Sequence, residues 1–350
     1  MNILKNIVRV GLIVTALSFN LVSCDYLDVV PPEQAGLQDA TKTRRSTLGF
    51  LFTCYAGLQE DDSPIGHTSA LNGSTDEFAL PIEWRNDSGA FWDDYAYNLV
   101  SAANPDGLWD NYYKYIGQCY LFLRQVENNP GETLLQEWLP GEKEQWLAEA
   151  HFLIAYYHFA LLRKYGPIPV ITEYVPQSTP SSEFGGRCHY DYCVNWIAYQ
   201  LDLAAQNLPP TREGTEWGRA STMAKALKAR VLMYAASPLW NGQFPFSSWK
   251  NKVNTPGDKD FFVGDDAKYK ESIGRDDYGI ELVSSSYNEK KWERAMEACQ
   301  KALDFALNEG GCRLYGTEAS DMTLYQTELG NNDKWLPYVP GKEDNNIQEN

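Results

Sequence analysis

The segment Trp146–Ile171 constrains the fold of this chain more than any other part of the sequence. Apolar and aromatic side chains cover most of its circumference: Leu147, Ala150, Phe152, Leu153, Ala155, Tyr156, Phe159 and Leu162. A helix that is apolar on all sides is buried rather than amphipathic. Gly141 and Glu142 mark its start, and Gly166 followed by two prolines marks its end and an extended exit. The pattern therefore predicts a central helix with other helices packed around it.

Five further segments show apolar residues at helical spacing. They are Thr43–Leu58, Trp109–Val126, Cys193–Leu208, Ala220–Ser237 and Glu289–Leu307. Alanines recur at helical intervals in the last two, which lets neighbouring helices approach closely, as tetratricopeptide-type pairs require. The spacing between helix pairs is irregular. We therefore predict an all-α fold, a tetratricopeptide-like helical repeat scaffold with long irregular loops.

Residues 1–24 have the order of a bacterial export signal. The basic residues Lys5 and Arg9 precede an apolar stretch, Val10–Leu17, that is too short for a transmembrane helix. The end of the signal, Leu21-Val22-Ser23-Cys24, resembles a lipobox, in which the cysteine is acylated after cleavage. An ordinary signal peptide with a chance cysteine is the alternative. We predict a lipoprotein signal peptide over residues 1–23 and a lipid anchor on Cys24, which holds a protein to a membrane without a spanning helix.

Residues 61–106 form a long stretch with little helical periodicity and many aromatic, acidic and amide residues. In a compact domain, a connection this long is a binding loop or is disordered, and its aromatic content argues against disorder. Exposed rings suit sugars, because sugar C–H faces stack on them while hydroxyls bond to polar neighbours. The candidate ligand-binding residues are Trp84, Arg85, Asn86, Trp92, Asp93, Tyr95 and Asn98. For each of them, packing of the loop on the scaffold is the alternative.

Charge and motifs exclude several classes of function. The formal net charge is -17, and such a surface repels phosphate backbones, so no nucleic acid is expected as a partner. The sequence contains no nucleophile elbow, zinc-protease helix or phosphate-cradling glycine loop. Carboxylate pairs such as Asp76/Glu77 could serve glycoside hydrolysis, but 47 acidic residues make such pairs common by chance. We predict a protein that is not an enzyme and that has neither catalytic residues nor a cofactor.

Two cysteines and two histidines raise the question of metal binding. Cys188 and Cys193 could form a local disulfide, or half of a metal site that no second pair completes. His151 and His158 share one face of the central helix but lack a further ligand one turn away, so we interpret them as packed, hydrogen-bonded residues. No metal site is predicted. Three cysteines that fall within helical patterns are interpreted as small core residues: Cys54, Cys119 and Cys299.

Two of the helical segments resemble the SusD/RagB family of outer-membrane nutrient-binding lipoproteins. The resemblance lies in the run Glu149–Phe159 with its continuation Tyr165–Ile171, and in Ala220–Ser237 with its flanks Gly218-Arg219 and Pro238–Asn241. The start of the mature chain, Asp25–Pro32, also resembles the family. So does the Thr-Asp-Glu run that precedes the tryptophan-bearing loop, a region that lies near the ligand site in the family.

The resemblance implies a SusD-like nutrient-binding domain over residues 24–350, with an incomplete C-terminal part because family members continue further. It also implies a function: a lipid-anchored protein, exposed at the surface of the cell outer membrane, binds a glycan or oligosaccharide. The protein then hands its ligand to a SusC-like TonB-dependent transporter. Alternative functions are a peptide- or other nutrient-binding surface lipoprotein and, less favoured by the motifs, a glycoside hydrolase.

Overall fold

The computed structural model describes residues 36–58, 101, 108–176, 178–180, 183–212, 218–246, 249–255 and 261–313. Its α-helices are α1 (Arg44–Tyr55), α2 (Leu108–Asn128), α3 (Glu132–Glu137), α4 (Glu142–Tyr165), α5 (Tyr190–Asn207), α6 (Ser221–Ala236), α7 (Lys270–Ile273) and α8 (Glu289–Asn308). Short 3-10 helices cover Leu37–Thr41, Pro238–Trp240 and Gly264–Tyr269. Within the described ranges, β structure does not extend beyond isolated bridges, so the predicted all-α class is confirmed. None of the described helices is long and apolar enough to cross a membrane.

The described residues fall into two compact units. The smaller unit contains the residues up to Phe50 together with Gln125–Glu137, and the larger unit contains the remainder. In the smaller unit, the Gly131 amide donates to the Thr41 carbonyl at 2.9 Å, just before α3 begins. Helix α3 was not predicted, because its six residues are too few to show a helical period.

Helix α4 is the central helix that the sequence predicts. Of its 24 residues, 14 are buried, and between Phe152 and Leu162 they cover every side of the helix. The first turn carries acidic residues and the last turn basic ones, as the helix dipole favours. The helix ends at Tyr165, where Gly166 adopts a φ of 68° and its amide donates to the Leu162 carbonyl. Because no side of α4 faces water over these turns, its stability depends on the elements that cover it.

In the larger unit the helices pack in chain order. Helix α4 packs against α5, α5 against α6, and α6 against α8, which is the arrangement of a helical repeat. Alanines that the sequence predicted at the interfaces are buried there, including Ala224 of α6 and Ala295 and Ala302 of α8. Ala226 of α6 is an exception, since it is exposed. The alanine spacing therefore predicts the contacts between α6 and α8, although not every alanine takes part.

The start of α5 differs from its prediction. The helix begins at Tyr190 rather than at Cys193. The cause is an unusual cap, because the His189 side chain accepts a hydrogen bond from the Asp191 amide at 3.1 Å. Histidine is not among the residues preferred at this position, so the earlier start of the helix could not be predicted.

A buried ionic network links α5, α6 and α8 to the 3-10 helix Gly264–Tyr269. Arg294 donates to the Asp266 carboxylate at 2.8 and 3.0 Å and to the Asn195 side chain at 2.8 Å. Lys228 also pairs with Asp266, at 3.0 Å. Burial alone would raise the pKa of Asp266, but the charges of Arg294 and Lys228 outweigh burial and hold that pKa below its usual value. The carboxylate is therefore the ionised centre of the network.

A second buried ion pair lies beside this network. Lys291 donates to the Asp191 carboxylate at 2.6 Å and to the Trp240 carbonyl at 3.1 Å. The cavity lined by this pair and by neighbouring side chains has a volume of about 10 Å³. Such a cavity holds about one water molecule, so this part of the interior is closely packed.

Replacing Asp266 with Asn should destabilise the protein by about 3 kcal/mol, because the buried Arg294 loses its carboxylate partner, whereas Lys228 keeps its ion pair with Asp202. The folded-state pKa of Asp266 is lowered, so its contribution to stability is present above its unfolded pKa of about 4. That contribution is lost as pH falls through the folded-state pKa. The Asp266→Asn variant should therefore lose part of the acid sensitivity of the wild-type protein, as measured by urea unfolding at neutral and acidic pH.

The matched control for this prediction is Asp265→Asn. The Asp265 carboxylate pairs with Lys301 at 2.8 Å, but its side chain is 76% exposed. Exposed pairs contribute little to stability, so this variant should unfold like the wild type. Equal losses in the two variants would contradict a dominant role for the buried network.

Candidate functional site

The predicted binding loop lies outside the described residues. This applies to each assigned residue, so the assignments remain predictions: Trp84, Arg85, Asn86, Trp92, Asp93, Tyr95, Asn98 and the lipidation residue Cys24. The structure does describe the flanking helices, since α1 ends at Tyr55 and α2 begins at Leu108. Tyr157 of α4 contacts both, because its hydroxyl donates to the Cys54 carbonyl at 2.6 Å and its ring stacks on Tyr115 with centroids 5.8 Å apart. The helices that flank the predicted site are thus held on the central helix.

A buried carboxylate of α4 anchors the end of α1. Glu149 accepts a hydrogen bond from the Tyr55 hydroxyl at 2.5 Å and another from Arg212, with which it forms an ion pair. The Arg219 guanidinium lies over the Tyr55 ring, 5.3 Å from its centroid. Burial raises the pKa of Glu149, while the hydrogen bond from Tyr55 and the charge of Arg212 act in the opposite direction. Both carboxylate oxygens are engaged in a buried site, so Glu149 holds the scaffold together and does not face a ligand.

Five side chains form a tryptophan cluster at the C-terminal end of α4: Trp109, Arg187, Trp240, Phe244 and Trp249. Trp240 and Phe244 stack with ring centroids 5.3 Å apart, and Phe244 and Trp249 stack at 5.5 Å. The Arg187 guanidinium lies 5.0 Å from the Trp109 ring centroid and 5.7 Å from that of Trp249. Stacking and cation–π attraction join these side chains, which come from three separate parts of the sequence, into one unit.

The tryptophan cluster closes the end of α4. Arg187 donates to the Tyr165 carbonyl in the last turn at 3.1 Å and to the Pro167 carbonyl just beyond the helix, and it places positive charge at the negative end of the helix dipole. Gly166 lies against two indoles. A Cβ at this position would come within 2.9 Å of a Trp249 ring carbon and 3.2 Å of one in Trp240. Glycine fits both this close approach and the positive φ.

One ring beside the tryptophan cluster faces solvent. Phe246 is 68% exposed and meets Phe244 edge to face, with centroids 5.6 Å apart. A ring this exposed offers a surface on which sugar C–H groups can stack. None of these aromatic residues was predicted to belong to a site. The sequence pattern that could have indicated an aromatic cluster is the close spacing of Trp240, Phe244, Phe246 and Trp249.

A serine, a histidine and an aspartate lie close together without forming a nucleophilic triad. The Ser284 hydroxyl is 3.3 Å from His189 Nε2 and accepts a hydrogen bond from Arg275 at 2.8 Å. His189 Nδ1 accepts from the Asp191 amide, so the ring proton is on Nε2. In that tautomer Nε2 cannot take the serine proton, as a triad requires. Burial lowers the pKa of His189 to about 4, which keeps the ring neutral.

The histidines of α4 are packed, hydrogen-bonded residues, as the sequence indicates. His158 Nδ1 donates to the Ile154 carbonyl at 2.8 Å, and Nε2 accepts from the Ile171 amide at 3.2 Å. His151 bonds to the Gln200 side chain of α5 at 2.7 Å. Burial lowers the pKa of His158 to about 4, which fits a neutral ring. Both histidines therefore connect α4 to elements that cover it.

Cys188 and Cys193 are both buried and reduced in this structure. The Cys193 thiol donates to the Ile168 carbonyl at 3.5 Å and to the Cys188 carbonyl at 3.8 Å. These contacts direct the sulfur toward backbone oxygens, and they serve packing around the extended exit of α4. Among the described residues, no group of three His, Cys, Asp or Glu side chains is placed to hold a metal ion.

The chain is similar in sequence and structure to known proteins. Residues 25–233 match a family model described as SusD-like, starch-binding associating with outer membrane. The solved structure of BT4246 is 44% identical with a TM-score of 0.68, and the match covers 87% of this chain and 45% of that chain. This chain thus spans less than half the length of BT4246.

More distant solved structures were also found. A laminarin binding SusD-like protein is 20% identical with a TM-score of 0.46, and the match covers 56% of this chain and 41% of that one. A SusD-like protein from Bacteroides fragilis is 22% identical with a TM-score of 0.45, and the match covers 58% of this chain and 38% of that one. No curated protein sequence matched.

Gly166→Ala should cost more stability than Gly141→Ala, although both glycines have a positive φ, 68° and 77°. At Gly141 no neighbouring atom lies within 4 Å of an added Cβ, so we expect only backbone strain, about 1 kcal/mol. At Gly166 the Cβ must also displace the Trp249 indole, and the total should be about 3 kcal/mol. Urea unfolding measures both values. Equal losses would contradict close packing of the tryptophan cluster on the end of α4.

Proposed function

The chain belongs to the SusD-like family, and we propose on that premise that it binds an oligosaccharide or other glycan at the cell surface without transforming it. The family resemblance seen in the sequence and the predicted helical fold are confirmed. The observation on which the proposal depends is the match over residues 25–233 to a family described as starch-binding and associating with the outer membrane. That family is one of binding proteins rather than enzymes, which supports binding without catalysis.

The packing of the described scaffold favours a surface site for the glycan. Ligand pockets for small molecules have volumes of about 300–1,000 Å³. The cavity beside Lys291 is far smaller, at about 10 Å³. The buried polar residues nearest to it are engaged with one another in ion pairs. A glycan is therefore expected to bind to loops and exposed rings rather than within this helical interior.

We place the primary site in the loop between α1 and α2, at the residues that the sequence assigns: Trp84, Arg85, Asn86, Trp92, Asp93, Tyr95 and Asn98. The aromatic rings would stack on sugar faces, and the amide, carboxylate and guanidinium groups would bond to sugar hydroxyls. Support comes from the composition of the loop and from the anchoring of its flanking helices on α4 by Tyr157. Phe246 is a candidate second contact, because it is the most exposed ring beside the tryptophan cluster.

The rest of the proposal concerns location and partner. We propose that Cys24 is acylated, that the lipid anchors the protein in the outer membrane, and that a SusC-like TonB-dependent transporter receives the glycan. Support comes from the order of the leader, basic then apolar then Cys24, and from the outer-membrane association in the family description. Mass spectrometry of the mature N-terminus tests the anchor. Co-purification of a large barrel protein from outer membranes tests the partner.

A glycan array, followed by calorimetry on each hit, tests the binding function with a soluble form that lacks the leader and Cys24. Stacking on one ring contributes about 1 kcal/mol, so Trp84→Ala or Trp92→Ala should weaken affinity about fivefold without much change in stability. Phe246→Ala should weaken the affinity by a similar factor, because it removes the second contact with the glycan. The control is Trp292→Ala, which removes an exposed tryptophan of α8 that belongs to neither site.

Each outcome has a distinct meaning. Unchanged affinity in the double variant Trp84→Ala and Trp92→Ala would remove the loop as the site. Product formation from a bound glycan would favour the hydrolase alternative. An absence of glycan binding would contradict the proposal that the ligand is a glycan. It would favour the alternative that the protein binds a peptide or another nutrient.

A further inference from the structure

Helix α8 carries a row of apolar side chains along one face, most of which are exposed. Consecutive members of the row are three or four positions apart, so they lie on one side of the helix over about 22 Å. The exposed fraction rises from 41% at Trp292 to 66% at Met296, and Cys299 in the middle of the row is half-buried. We call this row the α8 stripe: Trp292, Met296, Cys299, Leu303 and Leu307.

The α8 stripe is unusual for the outer face of a helix at the end of a repeat. Single exposed apolar residues are ordinary on a protein surface, but a continuous row marks a surface that another element covers. In a helical repeat each helix is covered by the next, and a terminal helix needs a polar outer face. Helix α8 is the last helix that the structure describes, and Ala295 and Ala302 lie on its buried side. With apolar residues on its outer face as well, α8 resembles an internal helix of the repeat.

The chain turns back along α8 directly after the helix ends. Helix α8 ends at Asn308, and Gly311 then adopts a φ of 60°. The Cys312 amide donates to the Ala306 carbonyl at 2.8 Å, so the chain has already reversed its direction at this point. Ala306 is three positions after Leu303 and shares its side of the helix. The segment that begins at residue 314 therefore starts beside the α8 stripe.

Residues 314–350 lie outside the described residues, and their sequence predicts a short helix with one apolar face. Met322, Tyr325 and Leu329 are three and four positions apart, which places them on one side of a helix over about 10 Å. Gly330 follows the last of them, as is common where helices end. A helix this short is not stable in water by itself, so it needs a partner that buries its apolar face.

We propose that residues 314–350 pack on the α8 stripe, with the predicted helix around Tyr325 antiparallel to α8. The turn at Gly311 gives this direction, and both helices present apolar residues three and four positions apart. A second copy of the chain is a weaker candidate for the same surface. The segment is attached directly to the end of α8, so its effective concentration at the stripe is of millimolar order, above that of a second copy in dilute solution.

Oxidation of methionine by dilute hydrogen peroxide tests whether the stripe is covered, and it needs no substitution. The form used ends at Asn350 and lacks only the leader and Cys24. Met296 is 66% exposed in the described structure, so it should oxidise rapidly if nothing covers it. We expect it instead to oxidise at least about tenfold more slowly than an exposed methionine elsewhere in the same protein, as measured by mass spectrometry of the digest.

The matched control is Met223 of α6, which is 46% exposed. Lys225 lies over the Phe305 ring of α8, with its Nζ 4.8 Å from the ring centroid. Met223 precedes Lys225 by two positions, which corresponds to about 200° around the helix, so it lies on the side of α6 away from α8. Met223 should therefore oxidise rapidly in the sample in which Met296 is protected. Equal oxidation rates for the two methionines would overturn the proposal.

Photocrosslinking identifies what covers the stripe. A photoreactive phenylalanine analogue replaces Met296, and a mixture of isotopically labelled and unlabelled protein is irradiated and digested. We expect crosslinks to peptides from residues 314–350 within one chain. Crosslinks between a labelled and an unlabelled chain would assign the stripe to a second copy and overturn the proposal. Crosslinks to any other part of the same chain, or the absence of a crosslink, would overturn it as well.

Discussion

A helix that is buried on every side must have each of its polar side chains satisfied by the elements that cover it, and much of this structure follows from that constraint. Unpaired polar groups in an apolar interior are costly, so their partners have to be brought to them. On α4, Glu149 is bonded to Tyr55 at the end of α1, and Tyr157 donates to the Cys54 carbonyl. His158 bonds to the Ile171 amide of the extended exit. The polar residues of α4 thus fix the positions of the segments around it.

The extended exit of α4 shows the same constraint applied to the backbone. The carbonyls of this segment have no partners within a helix, and tyrosine hydroxyls of α2 act as their hydrogen-bond donors. Tyr113 donates to the Pro169 carbonyl at 2.7 Å, and Tyr120 donates to the Ile171 carbonyl at 2.8 Å. On its other side, the Cys188 amide donates to the Ile168 carbonyl at 2.8 Å. The tryptophan cluster then covers the turn itself. An irregular segment can lie in the interior in this way because its polar groups are paired.

Periodicity alone was sufficient to predict the six long helices, because burial repeats along a helix and is visible in a single segment. Periodicity was not sufficient to predict contacts between residues that are distant in sequence. The ion pair of Arg294 with Asp266 depends on how separate elements pack against each other, so the sequence could not show that these two residues are partners. The tryptophan cluster was missed for the same reason. Two local features were not predicted for another reason. His189 is an uncommon residue at a helix N-cap, and α3 is too short to show a helical period.

The larger unit depends on α4 more than on any other element, and native-state hydrogen exchange measures this dependence. Amides between Phe152 and Leu162 should exchange only by global unfolding, with an opening free energy equal to that from urea denaturation. Amides on the exposed face of α8, which covers less of the core, should exchange through smaller local openings. If the α4 amides exchange at a lower opening free energy than those of α8, or without dependence on urea, then α4 is not the element that stabilises the larger unit.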